Sequence, residues 1–183
     1  MKTYNIAVIV GSLRHNSFNH FLANALAQFA PADFSLKQLR INDLPLYNQD
    51  DDATPSHTVQ NLKAEIKAAD GVIFVTPEYN RSIPGVLKNA IDHASRPYGE
   101  SAWSGKPAGI LGASIGVNGT AMAQQHLRNI LAYLDLPTLT QPEAFIHVKD
   151  DLLASAETIA QDNRELLQSW MDHYTALVKN HNQ

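Results

Sequence analysis

The chain of 183 residues contains no cysteine, which excludes a disulfide framework, a thiolate zinc site and a cysteine nucleophile. It also lacks long apolar runs, since none approaches the roughly 20 residues that a membrane-spanning helix needs. Residues 1–5 lead directly into a strand pattern without the apolar stretch of a signal peptide. We therefore expect a cytoplasmic protein with no membrane span.

Several binding signatures are missing as well. Lysine and arginine do not cluster, and with a formal net charge of −4 we expect no nucleic-acid surface. The eight histidines are scattered, none with H-E-x-x-H spacing, so we expect no metal site. Neither the dinucleotide fingerprint G-x-G-x-x-G nor the nucleoside-triphosphate loop G-x-x-x-x-G-K-[ST] is present.

What the chain does contain is a regular alternation of apolar strand patterns with helical periodicity. Alternating strands and helices predict one α/β domain over residues 1–183 with a parallel sheet covered on both faces. Five strands and five helices favour the doubly wound, flavodoxin-like order 2-1-3-4-5. We expect strands at 4–10, 34–39, 71–76, 107–113 and within 138–147, and helices at 18–29, near 59–69, near 84–94, at 121–134 and, as one long helix, at 153–178.

The turn between the first strand and the first helix is the most informative segment. The first N–H groups of a helix are free, and the helix dipole favours negative charge there. Ser12, Ser17 and Asn19 add neutral donors, and Arg14 adds a forked cationic one. This set predicts a site for a terminal phosphate monoester, although a plain strand–helix turn capped by Ser17 would leave the same pattern.

Two further turn-rich segments, 77–83 and 114–119, follow the third and fourth strands. In the predicted fold they lie at the same sheet edge as the first turn, which indicates one shared site. The proline-stiffened segment 77–85 offers backbone N–H groups and Tyr79 to a flat ring, and the small residues of 114–120 allow close approach. The alternatives are a rigid turn in which Tyr79 covers the sheet edge, and a helix cap at Asn118 or Thr120.

Residues 112–116 also match G-x-S-x-G, the nucleophile motif of α/β-hydrolases. A triad around Ser114 would need an acid such as Asp135 or Glu143 and a base such as His147 or His173. Two features weigh against this hypothesis: the turn continues beyond the serine, and no H-G-G-G-type segment precedes it. A serine hydrolase is therefore a minor alternative.

Three motifs together resemble the NAD(P)H-dependent FMN reductase family, which includes chromate, quinone and azo-dye reductases. They are G-S-L-R-x-x-S-x-N at 11–19, T-P-E-Y-N-x-S-I-P-G-x-L-K-N-A-I-D at 76–92, and G-A-S-x-G-x-x-G at 112–119. The resemblance implies that the FMN phosphate is held by Ser12, Arg14, Ser17 and Asn19. It implies that the ribityl chain and ring are lined by Pro77, Glu78, Tyr79, Asn80 and Ser82, with Ser114 and Gly116 along the other edge.

The resemblance also implies the reaction: ping-pong hydride transfer from NAD(P)H through flavin N5 to a small acceptor such as a quinone, azo compound, chromate or free flavin. The flavin carries this chemistry, so no catalytic side chain is expected. The family typically forms homodimers or homotetramers. The chain departs from the family at Met122, where arginine is frequent, and at Arg81, a variable position that is often aromatic. A flavodoxin-type electron carrier without NAD(P)H activity of its own is the main alternative.

Overall fold

The sheet of the protein, described here for residues 2–182 from a computed structural model, contains five parallel strands in the order β2-β1-β3-β4-β5. This confirms the predicted strand order. Because all five strands run in the same direction, their carboxyl ends share one edge. The strands are β1 (Tyr4–Val10), β2 (Phe34–Leu39), β3 (Gly71–Val75), β4 (Ala108–Ser114) and β5 (Phe145–His147).

Helices cover both faces of the sheet, as predicted. Successive residues of β1 point to opposite faces, so Ile6 and Val8 join one buried cluster while Ala7 and Ile9 join the other. The first cluster includes side chains of α1, α5 and α6, and the second includes those of α2, α3 and α4. These helices are α1 (Phe18–Leu26), α2 (His57–Ala68), α3 (Gly85–Ala94), α4 (Ala121–Tyr133), α5 (Ala156–Asp162) and α6 (Arg164–His181).

The prediction of one long carboxyl-terminal helix over 153–178 was wrong, because the segment forms two helices. The chain breaks at Asn163, whose φ of −124° lies outside the helical range. Its side-chain amide donates to the carbonyl of Ile159 at 3.0 Å, so an amide competes with the backbone for the helical carbonyls. The start of α5 is set by a capping box in which Ser155 and Thr158 bond to each other's backbone N–H groups.

The first helix is also shorter than the predicted 18–29. It ends at Leu26, and the next residues form tighter turns in which the N–H groups of Gln28 and Phe29 bond three residues back. The chain must then turn at Pro31 to enter β2. In the described range 2–182, no helix combines the length and apolarity that crossing a membrane requires.

Helix α6 lies unusually close to the sheet. A Cβ atom added at Gly109 in β4 would lie 2.6 Å from the Trp170 ring, and one at Gly71 in β3 would lie 2.7 Å from the Tyr174 hydroxyl. The rings of Trp170 and Tyr174 stack with centroids 5.3 Å apart. Burial raises the pKa of the Tyr174 hydroxyl far above its ordinary value. The two glycines therefore provide the space that these aromatic side chains fill.

Candidate functional site

Three loops meet at the carboxyl edge of the sheet. They follow β1, β3 and β4, which are neighbours in the sheet, so the loops are neighbours as well. Every residue expected from the sequence to line a site lies in one of these loops or at the end of an element beside them, as Asn19 does in the first turn of α1 and Ser114 at the end of β4. The fold therefore brings together segments that are up to about a hundred residues apart in the chain.

The loop after β1, residues 11–17, presents hydrogen-bond donors to solvent. Ser17 caps α1, and its Oγ accepts from the N–H of Asn19 at 3.2 Å. Ser12 is buried, and its Oγ accepts from the N–H of Arg14 at 3.3 Å. Within residues 2–182, the backbone N–H groups of Leu13 and His15 donate to no protein acceptor. The loop contains no carboxylate, so its donors attract anions.

Arg14 is the only cation of fixed charge in this loop. Its guanidinium carbon lies 5.2 Å from the centre of the Phe18 ring, and the side chain is exposed. Such a contact orients the guanidinium without consuming its N–H donors. Arg14 therefore retains its capacity to grip an anion at the start of α1.

Asn19 is placed differently from its neighbours. Its buried side-chain amide donates to the carbonyl of Ala113 at 3.0 Å and accepts from the N–H of Ala113 at 2.9 Å. The amide thus fastens the start of α1 to β4, beside the third loop. The side-chain amide of Asn19 therefore positions the helix and is not directed toward the first loop.

His20 in α1 connects the same loop to β2 through hydrogen bonds. The sequence pattern did not reveal this role. Its Nε2 donates to the carbonyl of Ser12 at 3.0 Å, and its Nδ1 lies 3.2 Å from Oε1 of Gln38 in β2. A loop carbonyl and a side chain on a neighbouring strand are related only through the tertiary fold. No spacing signal along the chain could have identified this pair.

The loop after β3 forms a two-residue hairpin. Tyr79 and Ser82 exchange both backbone hydrogen bonds, at 2.9 and 3.0 Å. The central residues Asn80 and Arg81 have φ values of 52° and 65°, as a type I′ turn requires. Asparagine tolerates this conformation, but arginine rarely adopts it. The side chains of Tyr79 and Arg81 are both exposed to solvent, Tyr79 to 51%.

Glu78 joins this hairpin to α4. One carboxylate oxygen accepts from the backbone N–H groups of Met122 and Ala123 at 3.0 and 3.1 Å, and the other accepts from Arg81 Nη1 at 3.1 Å. The alternative interpretation of this segment, a side-chain cap of α4 by Thr120 or Asn118, is not found, since α4 has no side-chain cap bond at its N-cap residue Thr120. A carboxylate from another loop takes that place, where the helix dipole favours its charge.

The hairpin has a second link to α4. Ser82 Oγ lies 2.7 Å from Nδ1 of His126, one turn further along the helix than the Glu78 contacts. Glu78 and Ser82 therefore hold the second loop against α4, and both are residues that the resemblance places along a flavin. Their side chains act on the protein itself and leave the backbone of the hairpin to face a ligand.

The loop after β4 gives no support to a serine nucleophile. Ser114 Oγ accepts from the N–H of Gly116 at 3.0 Å, and no histidine of the described chain hydrogen-bonds to it. Helix α4 begins only at Ala121, whereas a nucleophile elbow leads straight into its helix. Of the candidate acids, Glu143 binds Gln125 at 2.6 Å. The environment of Ser114 is therefore not that of a serine hydrolase nucleophile.

Gly112 explains how the second and third loops come so close together. A Cβ atom at this position would lie 2.1 Å from the carbonyl oxygen of Thr76 and 2.2 Å from Oγ1 of Thr120. Only a glycine permits that approach. Within residues 2–182, no group of three or more His, Cys, Asp or Glu side chains is arranged to hold a metal ion.

The chain matches a known protein family over most of its length. Residues 4–151 match the family model described as NADPH-dependent FMN reductase. The matched segment contains all three loops. A 2-hydroxy-1,4-benzoquinone reductase of Burkholderia sp is 52% identical over 175 residues, covering 95% of this chain and 96% of that protein. A quinone reductase of Pseudomonas putida is 45% identical over 179 residues, covering 97% and 96%.

A solved structure supports the same assignment. The flavoenzyme FerB of Paracoccus denitrificans, an NAD(P)H:(acceptor) oxidoreductase, superimposes with a TM-score of 0.91 and is 40% identical. The match covers 98% of this chain and 99% of FerB.

Proposed function

Because the chain belongs to the NADPH-dependent FMN reductase family, we propose that it binds FMN at the carboxyl edge of its sheet and uses it to reduce a quinone with NAD(P)H. The observation that carries this proposal is the convergence of three loops, one rich in anion-binding donors and two that form close walls. Two relatives that are 52% and 45% identical over nearly the full chain are quinone reductases, which favours a quinone as acceptor.

The donors of the first loop fit a phosphate monoester. The hydroxyls of Ser12 and Ser17, the backbone N–H groups of Leu13 and His15 and the Arg14 guanidinium can satisfy its oxygens. No carboxylate in the loop opposes the phosphate charge. Asn19 contributes by fixing the start of α1 through Ala113.

The second and third loops fit a flat ring. In the proposed complex, Pro77, Glu78, Tyr79, Asn80 and Ser82 line one side of the ribityl chain and ring, mainly through backbone atoms. Ser114 and Gly116 line the other edge. A Cβ atom added at Gly116 would have only Ser114 Oγ nearby, at 3.5 Å, so the backbone there is open to a ligand.

When bound, FMN would supply the redox chemistry, accepting hydride from NAD(P)H and passing it to the acceptor. The protein's residues have three tasks: to anchor the phosphate, to position the ring between two rigid loops, and to leave one ring face accessible. No side chain of the chain is assigned as a catalytic acid or base. Exposed apolar side chains at the site, Ile115 and Val117, favour an aromatic acceptor over a small inorganic one.

The spectrum of the purified protein tests this function. Protein loaded with FMN should be yellow and should bleach when NADH or NADPH is added under nitrogen, and a quinone should restore the colour. A flavodoxin-type carrier would bind FMN but would not turn over NAD(P)H with a quinone. Protein that fails to bind FMN at all would refute the proposal.

We also propose that the chain acts as a homodimer or homotetramer in the cytoplasm, where NAD(P)H is available. Exposed apolar side chains near the site, Val117 at 80% and Met122 at 41% exposure, support a subunit contact there. Light scattering coupled to size-exclusion chromatography at two concentrations tests the assembly. A mass near the 20.1 kDa of one chain at both concentrations would refute it.

A further inference from the structure

We propose that Arg81 makes the acceptor site selective for quinones that carry an ionised oxygen substituent. This inference rests on the proposed function, because it concerns the substrate of the same site. It goes beyond that function by assigning a specificity-determining residue and a charge to the preferred acceptor.

The backbone places Arg81 where two walls of the site meet. Arg81 occupies the second central position of the hairpin at a φ of 65°, and its side chain is 72% exposed. Its Nη1 reaches both Glu78 Oε1 in the second loop and the Met122 sulfur in the first turn of α4, at 3.1 and 3.7 Å. The guanidinium therefore lies over the junction of the hairpin with α4.

The contact with Glu78 uses only part of the hydrogen-bonding capacity of the Arg81 guanidinium. Glu78 already accepts two backbone N–H bonds at the start of α4, where the helix dipole stabilises its charge. All hydrogen bonds of the Arg81 guanidinium within residues 2–182 are made by Nη1, so the N–H donors of Nε and Nη2 are unused. Arg81 can keep its partner and bind a second anion.

The charge of the surrounding loops has the same sign. Arg14 and Arg81 are the fixed cations of segments 11–19, 77–85 and 112–126, and Glu78 is their one carboxylate. The chain as a whole carries a net charge of −4. A locally positive edge on an acidic protein attracts anionic ligands to that edge. If Arg14 is engaged by the FMN phosphate, Arg81 is the cation left for the acceptor.

A hydroxylated quinone has the complementary chemistry. A 2-hydroxy-1,4-quinone is a vinylogous carboxylic acid that is ionised at neutral pH, and its charge is shared between two oxygens. The ionised oxygen on C2 and the carbonyl oxygen on C1 are neighbours on the ring, so a guanidinium can bind this pair of oxygens through two N–H bonds. The side chains of Tyr79 and Met122 are also exposed and are available to contact the apolar part of a quinone ring. The 2′-phosphate of NADPH, by contrast, lies at the opposite end of the nucleotide from the reacting nicotinamide.

Steady-state kinetics of the FMN-loaded protein tests the proposal. NADH serves as reductant, so that no 2′-phosphate is present, and the acceptors are 2-hydroxy-1,4-benzoquinone and neutral 1,4-benzoquinone. Because the chain has no cysteine, neither quinone can alkylate a thiol. In Arg81→Gln we expect kcat/KM for the anionic quinone to fall by about 5- to 30-fold, mainly through KM, while the value for neutral quinone changes less than about twofold. Arg81→Lys should recover part of the loss, since it keeps the charge without the fork.

The matched control is Arg164→Gln, which removes an exposed arginine that lies over Phe29, beyond the far end of α1. It should leave both values at the wild-type level. Equal losses with both quinones in Arg81→Gln, or no loss with either, would overturn the assignment of Arg81 while leaving the quinone reductase function intact. Wild-type protein that binds FMN and oxidises NADH but reduces neither quinone would overturn the proposed function and this inference with it.

Equilibrium binding provides a second readout that does not depend on turnover. Titration of the oxidised, FMN-loaded protein with each quinone, followed through the flavin absorbance, gives two dissociation constants. We expect Arg81→Gln to weaken only the anionic quinone, by the same factor as in the kinetics. A variant that instead loses NADPH affinity relative to NADH, with unchanged quinone binding, would show that Arg81 recognises the nucleotide phosphate and would overturn the proposal.

Discussion

Glu78 illustrates how a single residue serves the site indirectly. Its carboxylate is only 11% exposed and receives two N–H bonds from α4 and one from Arg81. The residue thereby fixes the second loop to the start of α4, which follows the third loop. Its position depends on contacts that no neighbouring residue in the chain provides.

We expect Glu78→Gln to lower the free energy of unfolding by about 0.5–1.5 kcal/mol. The amide oxygen can still accept from α4, but the charge that favours the helix amino terminus is lost. Urea unfolding followed by circular dichroism measures the change. The control is Glu65→Gln, which breaks a more exposed pair with Lys37 and should change stability by less than about 0.5 kcal/mol. Equal effects of the two variants would show that the Glu78 cap does not stabilise the fold.

In the proposed FMN site, Arg14 is the side chain that we expect to contribute most to binding the phosphate. We expect Arg14→Ala to weaken FMN binding by about 1.5–3 kcal/mol, the scale of a charge-assisted hydrogen bond. Riboflavin lacks the phosphate, so its affinity should be the same in both proteins. Fluorescence titration of the apoprotein with each flavin makes the comparison. A parallel loss of riboflavin affinity would mean that Arg14 shapes the loop rather than binding the phosphate.

At the scale of the elements, the packing of α6 on the sheet depends on glycines in the strands. The Trp170 and Tyr174 rings lie where side chains of β3 and β4 would otherwise project. Dense interiors resist added volume, so these positions tolerate no Cβ without displacement of a buried ring.

We expect Gly109→Ala to destabilise the protein by about 1–3 kcal/mol through overpacking against Trp170. Gly85→Ala is the matched control, because an added Cβ there meets nothing within 4 Å at the first residue of α3. That substitution should be neutral or stabilising by up to about 1 kcal/mol. Chemical unfolding of both variants measures the difference. A Gly109→Ala protein as stable as the control would show that α6 can shift without cost.

At the scale of the whole molecule, the proposed site exists only in the folded chain. Its three loops follow different strands and are joined by contacts such as Asn19 with Ala113 and Glu78 with α4. An unfolded chain keeps none of these contacts. Any ligand of the site must therefore stabilise the folded state by mass action.

FMN at 100 times its dissociation constant should add about 2.7 kcal/mol to the stability of the wild-type protein. For a chain of this length, that corresponds to a rise in Tm of roughly 5–11 °C. Differential scanning calorimetry with and without FMN measures the shift. The same FMN concentration should raise the Tm of Arg14→Ala less. A wild-type Tm that does not respond to FMN would contradict the proposed cofactor site.

Local patterns in the sequence were sufficient for the strand order, most element bounds and the three loops. Apolar runs, helical periodicity and turn residues are properties of neighbouring residues, and the parallel order then places successive loops at one edge. The same local patterns missed the break at Asn163, where a side-chain amide competes with the helix for its carbonyls.

Only the tertiary structure decided what the side chains at that edge contact. The bonds of Asn19 to Ala113, of His20 to Ser12 and of Glu78 to the start of α4 join groups brought together by the sheet. Hydrogen bonds depend on distance and direction in space, and separation along the chain does not specify either. For the same reason the conformation of Arg81, and the direction of its unused donors, could be read from the folded hairpin alone.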